Sequence, residues 1–177
     1  MRKKLILNTM IFLVVPVFAV SNLGAATFAA WGYKILDGDS IIVVFKNKQI
    51  SIELDGIDCP EPEQEFGKEA AEFTTSFVYK KKLTVDIRNY DEEDRMIARV
   101  VIDGKDLSLT LVEEGLAWHV KKKSSGKKLA IAQKKAKKAK KGLWKQSKPT
   151  PPWTFRDVRQ KLKKIKEQNS EKNKSTA

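Results

Sequence analysis

The 177 residues include one cysteine and one histidine. Cys59 has no second cysteine to pair with, so no intramolecular disulfide can form and an ordinary apolar core must hold the fold together. No cysteine lies near the N-terminal apolar run to carry a lipid. Nothing near Cys59 in the sequence would serve it as a base, which argues against a thiol nucleophile. The lone His119 is expected at the surface or a barrel end rather than in catalysis. Two kinds of charge are missing from particular stretches. Residues 5–30 carry no charge at all, and residues 115–156 hold 14 Lys and Arg but no acid.

The uncharged run follows Arg2, Lys3 and Lys4 and ends among small residues, with Ala19 and Ser21, Gly24 and Ala26, then Ala29. Basic, apolar, small is the order of a secretory signal peptide, here assigned to residues 1–29. The run is also long enough for an uncleaved anchor, which needs about 20 apolar residues, although Pro16, Asn22 and Gly24 weaken that alternative. Export, either into the medium or to a periplasm or cell envelope, is the expectation. The overall charge of +13 is unevenly spread, since residues 31–114 hold 11 basic and 19 acidic side chains. The front of the chain is acidic and only the back suits a polyanion.

Short β-branched or alternating segments at 31–36, 40–46, 49–54, 83–88 and 96–102 predict five strands. Phe66, Ala70, Phe73 and Phe77 recur at helical spacing, giving a helix over about 65–79 between the third and fourth strands. Asp106 is placed to cap a short helix ending at Gly115. A lysine-rich helix over roughly 127–141 carries Leu129, Ala132, Ala136 and Ala139 as a narrow apolar stripe. This order outlines an α+β fold, a five-stranded OB-type Greek-key β-barrel with three helices. It occupies residues 31–156 and is followed by a basic tail, 157–177, helical to about Gln168 and then disordered.

The candidate chemistry lies in two acidic loops. Asp39 sits in the turn Asp37-Gly38-Asp39-Ser40, and Asp58 opens Asp58-Cys59-Pro60-Glu61-Pro62. Each follows or precedes a strand end, so neighbouring strands can bring Asp39 and Asp58 together as oxygen ligands for Ca²⁺ or Mg²⁺. Glu61 could orient or deprotonate a water beside such a metal, and an arginine could neutralise a phosphate.

The ordered blocks D-G-D-S (37–40), G-I-D-C-P-E (56–61), F-G-K-E-A (66–70), R-x-x-A-R-V-x-x-D-G (95–104), L-V-E-E-G-L-A-W (111–118), G-L-W (142–144) and P-P-W-T-F-R (151–156) resemble the thermonuclease family of secreted staphylococcal-type nucleases. The resemblance covers residues 33–156 and implies an OB barrel with three helices. It also implies calcium-dependent hydrolysis of DNA and RNA phosphodiesters, leaving 3′-phosphates. By the same resemblance Asp39, Asp58 and the backbone carbonyl of Cys59 bind the metal, whether Ca²⁺ or another divalent cation. Glu61 takes the general-base position and Arg95 the phosphate-steadying one.

Two positions depart from the pattern. Where the family carries a second phosphate-binding arginine, five residues before the second aspartate, this chain has Glu53. Strand parity puts Glu53 off the core, on the side where the pocket would lie. The turn before Arg95 reads Asp91-Glu92-Glu93-Asp94 and lacks the family's substrate-touching tyrosine. Losing one preorganised donor costs about 3–4 kcal/mol in the transition state. A like charge about 4 Å from the phosphate, at an effective dielectric near 20, adds up to about 4 kcal/mol. Activity about five orders of magnitude below a site with both arginines follows, unless Glu53 acts as an additional metal ligand. Lys121, Lys122, Lys123, Lys127 and Lys128 are the candidate nucleic-acid contacts, with a merely solvated lysine face as the competing reading.

The expected protein is therefore a secreted, monomeric, metal-dependent nuclease of weak activity. One alternative is a non-catalytic nucleic-acid-binding OB module of the cell envelope. Another is an envelope protein whose basic helix and tail rest on anionic polymer or lipid.

Overall fold

The computed structural model describes residues 26–121 and 126–175, with side chains to residue 169. Most of the expected leader, together with Lys122 and Lys123, lies outside the described residues.

Five long strands close into a barrel. β1 (Thr27–Ile35), β2 (Ser40–Phe45) and β3 (Lys48–Leu54) form an antiparallel meander, and β5 (Lys82–Tyr90) pairs with both β1 and β6 (Met96–Ile102). Parallel pairing of β3 with β6, Ile52 opposite Met96 and Leu54 opposite Ala98, closes the ring. The two-residue β7 (Lys105–Asp106) extends β6, while β4 (Ile57–Asp58) pairs with β8 (Trp118–His119) outside the barrel. Closure removes the free edges that an open sheet would expose. The α+β, five-stranded OB-type barrel expected from the strand pattern is the observed architecture.

The alternation that identifies β3 also decides which side chains fill the barrel. Ile52 and Leu54 are fully buried with Ile41, Val43, Val85, Ala98 and Val100, while Glu53 points to the other face. β1 begins at Thr27, within the segment that the small residues assign to the leader. Residues 27–30 pair with Asp86–Leu83, Phe28 packs on Phe45 at 4.5 Å between ring centroids, and Ala30 is buried. A short uncharged Thr-Phe-Ala-Ala run suits a leader's end and an inner strand equally, so only the pairing distinguishes them.

Among the described residues the three helices expected with the barrel are present, and a fourth runs from its end into the tail. α1 (Gly67–Val78) buries Ala70, Thr74 and Val78 against β1 and the barrel end. α2 (Leu107–Glu113) is capped by Asp106, whose carboxylate accepts the Leu109 N–H at 3.1 Å. α3 (Lys127–Lys138) buries Ala132 in the core that α2 shares and Ala136 with Leu143 and Trp144, leaving its lysines in water; Leu129 is half-buried and Ala139 is exposed. α4 (Pro152–Ser175) starts on a proline, whose fixed φ suits a first helical turn, and continues past Gln168. A 3₁₀ turn over Gly142–Lys145 links α3 to this last segment. No helix among the described residues is long and apolar enough to cross a membrane.

Candidate active site

The site is built at the end of the barrel where the β1–β2 turn meets the loop after β4. Asp37 organises the turn: its Oδ1 accepts the N–H groups of Asp39 and Ser40 at 3.0 and 2.7 Å. Gly38 lets the turn sit against the second loop. A Cβ there would come within 2.6 Å of the Cys59 Cβ and 2.8 Å of the Ala70 Cβ. The Gly38 carbonyl accepts the buried Thr74 hydroxyl of α1 at 2.6 Å, so the helix fixes the turn's height.

The second loop is held in a similar way. Gln64 Oε1 accepts the Glu61 N–H at 2.9 Å, and the Gln64 amide donates to the Thr150 carbonyl at 3.0 Å. Gly67 opens α1 directly against the Glu61 backbone. The two loops are joined by one bond, Cys59 N–H donating to Asp39 Oδ2 at 3.1 Å. Asp39 and Asp58 are 4% and 5% exposed, in two loops joined by that bond. Burial, then Glu53, Asp37 and Asp58, push the Asp39 carboxyl well above the ordinary carboxylate range, with only the Cys59 N–H working against them. Burial and the same acids push the Cys59 thiol up as well, which removes it as a nucleophile.

Glu53 belongs to this cluster. Register places it opposite Ser40, whose hydroxyl donates to Glu53 Oε2 at 2.8 Å, and the side chain is 15% exposed. It is not a solvated surface acid. Arg95 faces it across the barrel end, Nη1 to Oε2 at 4.0 Å, with Asp91 on its Nε at 2.7 Å and Glu93 on its Nη2 at 3.2 Å. Asp91 folds the β5–β6 turn around Arg95 by accepting the N–H groups of Glu93 and Arg95, both at 2.9 Å. Desolvation pushes the Asp91 carboxyl upward, but these bonds and the Arg95 guanidinium hold it below its usual value. Three acids thus surround the arginine that the sequence pattern reserves for phosphate.

One site residue carries no role in the sequence reading. Arg156, in the first turn of α4, donates from Nη2 to Asp58 Oδ2 at 2.7 Å. Its Nη1 donates to Asp58 Oδ1 at 3.1 Å and Glu61 Oε1 at 2.6 Å. The hydrogen bonds to Asp58 are the largest cause of its raised guanidinium pKa. One turn on, Arg159 reaches Glu61 at 3.5 Å and Glu63 at 3.3 Å. A signal was present in the composition: of the 14 cations in residues 115–156, Arg156 is the one arginine. Arginine is the residue that binds carboxylate or phosphate with two parallel donors.

The lysines lie elsewhere. Lys127 and Lys128 open α3 and line a groove of about 410 Å³ with Arg88, Arg99 and Asp106, and Lys121 is exposed after β8. His119 is buried in β8, not at the surface; its N–H donates to Gln133 Oε1 at 2.9 Å. Trp118 and Trp144 pack edge to face at 4.4 Å, with Lys137 over Trp144 at 4.3 Å.

Among the described residues no three His, Cys, Asp or Glu side chains are gathered closely enough to hold a metal ion as they stand. The chemistry of the donors still fits a hard cation. Two buried carboxylates and the Cys59 carbonyl are oxygen ligands of the type Ca²⁺ takes alongside water. Burial and three acidic neighbours raise the Asp39 carboxyl, a penalty on its charged form that a bound cation would relieve.

The profile of the family described as staphylococcal nuclease homologue matches residues 51–146. An uncharacterized endonuclease of Escherichia coli O157:H7 is 34% identical over 70% of this chain and 81% of its own length. An uncharacterized endonuclease of Haemophilus influenzae is 32% identical over 70% of each chain. A thermonuclease of Staphylococcus hyicus is 32% identical over 71% of this chain and 79% of its own. With the closed barrel and the acidic loops of its site, the chain belongs to the staphylococcal nuclease homologue family, a family of nucleic-acid phosphodiester hydrolases.

Proposed function

We propose that the protein is an exported, calcium-dependent nuclease acting on DNA and RNA, monomeric and slowed by Glu53. The observation that carries this reading is that the loops bearing the buried Asp39 and Asp58 are joined through the Cys59 N–H at one barrel end, with Glu61 beside Asp58 on the same arginine. Asp39, Asp58 and the Cys59 carbonyl would hold the cation, which when bound supplies charge neutralisation and a more acidic water. The Glu61 backbone is fixed by its N–H bond to Gln64, and its carboxylate, held by Arg156 and Arg159, would take the proton of an attacking water once released from Arg156. Arg95 orients and neutralises the phosphate, in competition with Asp91, Glu93 and Glu53.

The test is hydrolysis of single-stranded DNA and RNA by the chain from Thr27 onward, with millimolar Ca²⁺, Mg²⁺, Mn²⁺ or chelator. The expected result is cleavage that chelator and Asp39→Ala both abolish. Glu53→Arg should speed cleavage by roughly 10²-fold or more by restoring a donor and removing a like charge. A wild-type chain inert with every metal sinks the catalytic reading and leaves the nucleic-acid-binding module.

A second role concerns where the protein stays after export. Val158, Leu162 and Ile165 form an exposed apolar stripe on α4, with Lys161, Lys163, Lys164 and Lys166 around it. That arrangement supports retention on an anionic lipid or envelope-polymer surface. Sedimentation with vesicles containing anionic lipid, lost in Leu162→Ser/Ile165→Ser, is the expected result. Equal binding by the double variant counts against it.

A further inference from the structure

We propose that Arg156 supplies the phosphate-binding guanidinium that β3 lacks at position 53, so that the nuclease site is completed by the C-terminal helix. The inference rests on the nuclease reading above. Position 53 holds a glutamate in place of an arginine, with Arg95 facing it at 4.0 Å, and the structure brings a second guanidinium to the same acidic end from 98 positions beyond Asp58. Arg156 is not a chance surface contact. Its three N–H···O contacts of 2.6–3.1 Å go to two acids of the site, and the Asp58 side chain is 7% exposed.

The placement is built into the fold on both sides of the residue. Thr150, just before α4, accepts the amide of Gln64, which also fixes the Glu61 backbone, so the helix start and the acidic loop are one assembly. Phe155, adjacent to Arg156, lines a cleft of about 270 Å³ with Pro60, Gln64 and Trp118. Pro151 and Pro152 stiffen the entry to the helix. A guanidinium carries five N–H donors. Those directed at Asp58 become available to phosphate oxygens once that carboxylate is engaged elsewhere. The preference for paired oxygens that fits Asp58 fits a phosphodiester equally. Arg159, one turn further along α4, is held by Glu61 and Glu63 and can keep Glu61 oriented if Arg156 turns to substrate.

The experiment uses the full chain as wild type, Arg156→Ala, Arg156→Lys, Glu53→Arg and Glu53→Arg/Arg156→Ala. Three quantities are measured: calcium affinity by calorimetry, affinity in calcium for a short single-stranded phosphorothioate oligonucleotide, and cleavage of the ordinary oligonucleotide. Calcium should bind roughly tenfold more tightly to Arg156→Ala, because a cation competing for Asp58 has gone. The same variant should bind the phosphorothioate probe more weakly and cleave about 10²–10³-fold more slowly. Arg156→Lys, which keeps charge without the fork, should fall between. The double variant should recover most of the lost cleavage, because the arginine returns at the position the family uses. Unchanged calcium affinity in Arg156→Ala overturns the contact with Asp58. Probe binding equal to wild type, or a wild type that binds no probe, overturns the phosphate role. These two binding results decide the proposal even if the wild type cleaves nothing, an outcome that counts against the nuclease reading.

Discussion

Asp39 concentrates the electrostatic cost of the site. It is buried, and the nearby charges named above raise its pKa together with that burial. A carboxyl whose pKa is higher folded than unfolded binds more protons in the native state between those two values. Stability contributed by Asp39 therefore falls as pH rises from about 3.8 through the native pKa. In chelator, Asp39→Asn should melt higher than wild type at pH 7–8, and its advantage should vanish as pH falls toward 4. Adding calcium should raise the melting temperature of the wild type and leave the variant unmoved. An Asn variant that melts lower at neutral pH would show that the acids around Asp39 are already neutralised. Gly38 shows the same site from the packing side, since the turn can approach Cys59 and Ala70 only without a side chain.

Among the elements, β1 makes the sharpest claim. Its first four residues pair with β5, and they bring Phe28 against Phe45 and bury Ala30. A chain starting at Trp31 should be less stable than one starting at Thr27 by on the order of 3 kcal/mol, the scale for losing one packed aromatic side chain. Denaturant unfolding of the two chains measures it, and coincident midpoints would mean that the barrel closes without this segment. α1 and α4 act together at the other end of the site, one through Thr74 on the turn and the other through Arg156 on Asp58.

Across the whole molecule the charge is segregated, with an acidic front carrying the site and a basic back carrying α3 and α4. If the basic back holds phosphate backbones, binding releases counterions and should weaken steeply with salt for single-stranded DNA. Lys127→Gln/Lys128→Gln should reduce the slope of log K against log salt by about 1.4 if both lysines meet phosphates. An unchanged slope assigns these lysines to solvent.

Local pattern alone determined much of this protein. Period-two alternation located β3 and put Glu53 on the face away from the core, and Asp106 read as a cap because its short carboxylate can reach its own backbone. Asp39, Asp58 and Glu61 stood out as carboxylates at strand ends beside turns and prolines, whereas Arg95 was singled out only by the resemblance to the thermonuclease family. Three matters needed the tertiary structure. Thr27–Ala30 joined the barrel because their partners lie more than 50 positions away in β5. Glu53 was drawn into an acid cluster rather than left in solvent, since its neighbours Ser40 and Arg95 come from β2 and the β5–β6 turn. Arg156 reached the site across 98 positions, and no local periodicity records a contact made only when the barrel, α1 and the C-terminal helix are packed together.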